Sequence, residues 1–186
     1  MDQQPQDIPG VGPALGGSGA CPRIVCGDKT WTVGWPTQKA KSALEIATLE
    51  LAVANHEEAC AHLPAKFVAR KQKELDGAID GGHWRTWGEL WTSVNEGPDG
   101  NTLFLLSLLR EHHPDATLAD ARKLWREKGG ETVRAFAVVV PSFFELLVAD
   151  RPEPPAVKAA LVKQGTEDVL RAIGALPNPT EQTSTS

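Results

Sequence analysis

The chain has 186 residues, 41% of them hydrophobic, and a formal net charge of −5 from 24 acidic and 19 basic side chains. That length suits one domain with a real core plus tails, and the acidic balance argues against nucleic-acid binding through bulk electrostatics. The N-terminus, MDQQPQDIPG, lacks the basic and apolar regions of a secretory signal, and no uninterrupted apolar run reaches the roughly 20 residues that span a bilayer.

The longest apolar stretches, 103–109 and 135–141, have the length of core helices, so no membrane association is expected. Three cysteines make an odd count without a dense framework, which reads as reduced thiols in a cytoplasm.

Residues 1–22 are rich in Gly, Pro and Gln and are expected to form a flexible N-terminal arm. The run GVGPALGGSG within it has no strand before it and no Gly-Lys-Ser/Thr after it, so it does not make a phosphate loop. A helical core domain with an N-terminal hairpin is expected over 23–150. In RIVCGDKTWTVG, β-formers flank a turn at Gly27-Asp28-Lys29, the pattern of a β-hairpin. Thr37 then caps a long helix, about 38–61, with Ala40, Leu44, Ala47, Leu51 and Ala54 along one stripe.

Pro64 opens a second helix, about 65–79, carrying Phe67, Leu75 and Ile79 among Lys66, Arg70, Lys71 and Lys73, and Gly81-Gly82 closes it. A third, about 83–95, would align Trp84, Trp87 and Trp91, mostly toward the core. Leu103 to Leu109 are apolar nearly all round, which predicts a buried central helix that must end by His113, before Pro114. Thr117 and Asp120 have capping-box spacing ahead of a helix over 118–128, closed by Gly129-Gly130.

A last core helix, about 131–149, should kink at Pro141, whose missing N–H frees the Ala137 carbonyl. Residues 151–186 read as a stiff Pro-rich linker, a modest helix over about 156–174 and a disordered polar tail. The fold class is therefore mainly α, with a short N-terminal β-hairpin and flexible termini.

Candidate chemistry is sparse. His112 and His113 are adjacent, and neighbouring side chains on a helix point about 100° apart, so they do not easily share a metal. Helix termination explains them better. Cys21, Cys26, His56 and Cys60 offer a four-residue His–Cys spacing, but Cys21-x4-Cys26 is the loosest of the usual zinc spacings and Cys26 fits a buried strand position, so unconnected thiols are the preferred reading. No nucleophile elbow or carboxylate dyad stands out. The two helices around His113-Pro114 join through a turn too long for a convincing helix-turn-helix. The reading is of a non-enzymatic chain with no catalytic residues, no metal and no cofactor.

The order of elements carries one likeness. GDKTWTVGWPTQKAK leads into a long helix, GHWRTWGELW follows, and then LLSLLREHHPDATLADARKLW. Over about 23–150 this resembles the tail assembly chaperones of long-tailed bacteriophages and prophages. The Gly/Pro-rich arm and the Pro-linked C-terminal helix depart from that pattern. The resemblance implies a protein of the bacterial host cytoplasm that holds the tape measure or tail tube protein during tail morphogenesis. A structural or adaptor component of the phage particle is the alternative, and a small DNA-binding regulator ranks below it. Amphipathicity places the expected partner contacts at Phe67, Arg70, Lys71, Trp84 and Trp87.

Overall fold

The computed structural model describes residues 19–177, in which a two-stranded hairpin precedes seven helices. Strands β1 (Arg23–Cys26) and β2 (Lys29–Thr32) pair antiparallel, with Ile24 opposite Trp31. Their alternation turns Ile24, Cys26 and Trp31 inward and leaves Val25 exposed. Most of the expected N-terminal arm, 1–18, and the polar tail from 178 onward lie outside the described residues. Residues 19–22 are tied down: the Trp35 indole N–H donates to the Gly19 carbonyl, and Val33 N–H donates to Pro22.

Helix α1 (Gln38–Cys60) starts where its cap predicts, with Thr37 Oγ1 accepting from Ala40 N–H at 3.1 Å. Its buried residues are Ala40, Leu44, Ala47, Thr48 and Ala52. Ala54, expected on the same stripe, is exposed, because the last turns of α1 leave the core and meet α2 (Ala65–Asp80) instead. Helix α2 ends at the glycine pair, with Gly82 at φ +69° and His83 N–H donating back to Ala78, a termination that favours glycine.

The expected helix over 83–95 is shorter. Residues 81–88 form turns, and α3 covers only Glu89–Asn95. Trp91 N–H donates to His83 O, a bond across the loop that no helix makes, while Glu45 of α1 accepts from both Thr86 N–H and the Thr86 hydroxyl. These tertiary bonds outcompete the helical continuation. The three tryptophans therefore do not share a helix face.

Helix α4 (Gly100–Leu109) is the buried centre: every residue from Thr102 to Leu109 is buried. Helix α5 (Leu118–Glu127) opens with the reciprocal capping box of Thr117 and Asp120, and the Thr117 hydroxyl holds the Asp120 carboxyl below the usual carboxylate range. Gly129 and Gly130 do not close α5. The joint is Lys128, and the glycines begin α6 (Gly129–Ala149), where the Thr132 hydroxyl donates to carbonyls of Leu124 and Lys128.

Helix α6 runs on through Pro141. Its 21 residues are long and apolar enough to cross a membrane by length and composition, a property that a core helix buried over much of its length shares. In this fold its buried face, including Phe136, Val140, Phe143 and Leu147, joins the core with α4. Phe104 of α4 meets Phe143 edge-on at 5.2 Å, and Trp125 of α5 meets Phe136 at 5.6 Å. Helix α7 (Pro155–Ala172) packs along α6.

Candidate partner-binding surface

Helix α2 is amphipathic, yet only Leu75 of its 16 residues is buried. Leu75 and its half-buried neighbours Val68 and Ile79 form the inner stripe. Between Val68 and Leu75 on the same side, Gln72 Oε1 lies 3.1 Å from His56 Nε2 of α1. Phe67 stands 47% exposed, beside exposed Leu63 from the preceding turn. These two line a shallow depression with Arg70, Lys71 and Glu74.

The basic side chains Lys66, Arg70, Lys71 and Lys73 precede the acidic Glu74, Asp76 and Asp80 along α2. Cations near a helix N-terminus and acids near its C-terminus both oppose the helix dipole. Pro64 supplies no side-chain cap. Arg70 pairs with Glu74 at 3.0 Å, an exposed pair of small worth. Arg70–Glu74 and Gln72–Asp76 are i,i+4 contacts that support the helix modestly, and the apolar ridge bordered by Lys66, Arg70 and Lys71 suits contact with another chain.

Trp84 and Trp87 lie on the 81–88 loop, away from the depression around Phe67. Trp84 is half-buried, with the Arg85 guanidinium 5.5 Å from its ring. Trp87 has φ +70°, the left-handed region, which costs a bulky residue roughly 1–2 kcal/mol. Its surroundings hold it there: the indole N–H donates to Leu147 O at 2.9 Å, Trp91 packs at 5.2 Å, and the Arg151 guanidinium lies 4.8 Å from the ring.

Trp87 also lines a groove of about 670 Å³ with Lys41, Glu45, Asp150 and Arg151. Both cations there are paired, and Glu45 is held by Thr86. Lys41 pairs with Asp150, lowering the Asp150 pKa, and Arg151 holds the Glu153 carboxyl at about 2. Trp91, by contrast, is buried, 6.4 Å from Phe104.

The histidine pair follows the end of α4, where the N–H groups of both residues donate to Leu109 O. Helix termination is thus one of its roles. His113 has another: its Nε2 accepts from Thr32 N–H at 2.8 Å, and its ring packs 5.1 Å from Trp31. That bond requires Nε2 unprotonated. Burial, then Lys29 and His112, lower the His113 pKa accordingly.

His112 lies instead 3.6 Å from Cys21. Cys26 reaches Glu127, and Cys60 reaches His56, so the four residues weighed as zinc ligands go to three different places. Among the described residues no three His, Cys, Asp or Glu side chains gather as a metal set. The His56 Nε2 that faces Cys60 is the same atom that faces Gln72, so a Gln–His–Cys relay through the two ring nitrogens is not built here.

Sequence reasoning missed the His113 anchor and the strained Trp87, both of which depend on partners far along the chain. No family model, curated protein or solved structure matches the chain.

Proposed function

We propose that this chain is a non-enzymatic tail assembly chaperone of a long-tailed phage or prophage, acting in the host cytoplasm. It holds the tape measure protein, the tail tube protein or both until the tube polymerises. The observation that supports this reading is the outer face of α2. A 16-residue helix that buries one side chain, exposes Phe67 beside Leu63 of the preceding turn and borders them with Lys66, Arg70 and Lys71 is suited to contact a partner helix. The resemblance over 23–150 supplies the identity of that partner. Trp84 and Trp87, on the 81–88 loop, form a second, separate candidate contact, since Trp87 lines a different groove. No catalytic residue, metal or cofactor enters this reading.

Co-expression tests it. The tape measure protein of the same phage is expected to stay soluble with this chain and to aggregate without it. A Phe67→Ala, Lys71→Glu double variant should lose most of the effect while remaining folded. A tape measure protein equally soluble with and without the chain would end the chaperone reading. The chain's presence in purified virions would then favour a structural component, and salt-sensitive binding to duplex DNA would favour a regulator.

A further inference from the structure

Residues 66–73 of α2, KFVARKQK, hold four of the chain's 19 basic side chains and no acidic one, on a chain of net charge −5. Lys66, Arg70, Lys71 and Lys73 are all exposed. Among the described residues, only Arg70 of the four makes an ion pair, with Glu74. Lys66 Nζ lies 5.0 Å from the centre of the Phe67 ring instead.

At about 100° per residue, Lys66, Arg70 and Lys73 fall on one strip of the helix, spaced by four and then three residues. That strip lies on the opposite side of α2 from buried Leu75. Phe67 stands between it and Lys71, beside the depression of about 290 Å³ that Leu63 and Glu74 also line. The surface is therefore a cationic strip, roughly 10 Å long at about 1.5 Å per residue, next to an apolar hollow.

We infer that this surface takes an acidic amphipathic helix. Carboxylates on the partner helix, spaced by four and three residues, meet Lys66, Arg70 and Lys73, and a bulky aliphatic side chain enters the hollow beside Phe67. Carboxylates at i, i+4 and i+7 share one face of a helix, the same spacing as the cations they would meet. The rest of the chain favours a short helix over a larger polyanion. Its net charge of −5 repels an anionic bilayer or duplex DNA at long range, whereas a peptide helix meets only the strip and the hollow. The inference rests on the reading of this face of α2 as the binding surface. It adds the charge and spacing of the partner segment, and with them a dependence on salt that an apolar contact alone lacks.

The test uses the full-length chain and two fluorescent peptides of about 20 residues, long enough to be helical in water. One carries Glu at steps of four and three with Leu on the adjoining strip, and its twin carries Lys in place of Glu. By fluorescence anisotropy the acidic peptide should bind at least about tenfold more tightly than its twin, and should weaken at least about fivefold between about 50 and about 300 mM salt. The triple variant Lys66→Glu, Arg70→Glu, Lys73→Glu should abolish this binding while circular dichroism shows the fold intact. Should charge reversal disturb α2, the same three positions changed to Gln should still weaken binding at least about tenfold.

An acidic peptide that binds no better than its twin would overturn the inference, as would one that binds the folded triple variant as well as the wild type. So would tighter binding of mixed phosphatidylglycerol and phosphatidylcholine vesicles, or of duplex DNA, than of the acidic peptide. If the acidic peptide binds as described but the tape measure protein does not, the site stands and the phage reading falls. If the triple variant still keeps the tape measure protein soluble, the chaperone reading stands and this site falls.

Discussion

Helices α4 and α2 use their apolar residues in opposite ways. In α4 everything from Thr102 to Leu109 is buried, with β2's extension, α1, α3 and α5 arranged around it. In α2 one residue is buried, and the largest side chain, Phe67, faces water. Each buried leucine contributes about 1.5–3 kcal/mol relative to exposure, so α4 holds much of the fold's stability. Helix α2 contributes little to the core and much to the outer surface. A region that adds surface rather than stability, on a chain that could bury more, is where binding is most economically placed.

The contrast can be broken by mutation. The largest expected effect is at the centre: Leu105→Ala, at a site with no solvent exposure, should cost about 2–5 kcal/mol in chemical denaturation. Trp91→Ala should fall in a similar range, about 3–5 kcal/mol, since Trp91 is buried against Phe104 and Trp87. A loss under about 1 kcal/mol for either would mean that the centre is not where stability lies.

Much of this centre was legible in the sequence. Leu103–Leu109 is apolar on every side, Thr37 and the Thr117/Asp120 pair are local capping signals, and the hairpin alternates with period two. Each of these is a short-range property. The tryptophan helix failed because the contest was decided at long range. Glu45, on another helix, captures the Thr86 N–H, and the Trp87 indole finds a carbonyl at the end of α6. For the same reason helix termination was readable at His112-His113, but the bond from Thr32 to His113 was not. Amphipathicity marks Phe67, Arg70, Lys71, Trp84 and Trp87 together as contact residues, and only the first three lie on one helix. It could not say that Trp87 would sit in a different groove.

Intermediate effects sharpen the picture. Thr117→Ala removes the α5 cap and should cost about 1 kcal/mol. His113 gives the hairpin a pH dependence. Its folded pKa is depressed, so the unfolded chain takes up a proton first. The contribution is fully present above the unfolded value near 6.5 and is lost as pH falls through the lower folded value. Wild type should lose more stability than His113→Gln between pH 7 and pH 5. Equal losses would show that the Thr32–His113 bond does not govern hairpin docking.

The smallest expected stability effect belongs to α2, where Phe67→Ala should change unfolding free energy by no more than about 0.5 kcal/mol. The central claim is that this nearly neutral site is the binding site, and hydrogen exchange of the chain with and without the tape measure protein tests it most directly. Complex formation should slow exchange across the first half of α2, 65–72, leave α4 unchanged, and be abolished by Phe67→Ala with Lys71→Glu. A complex in which α2 exchanges as fast as in the free chain would contradict the account.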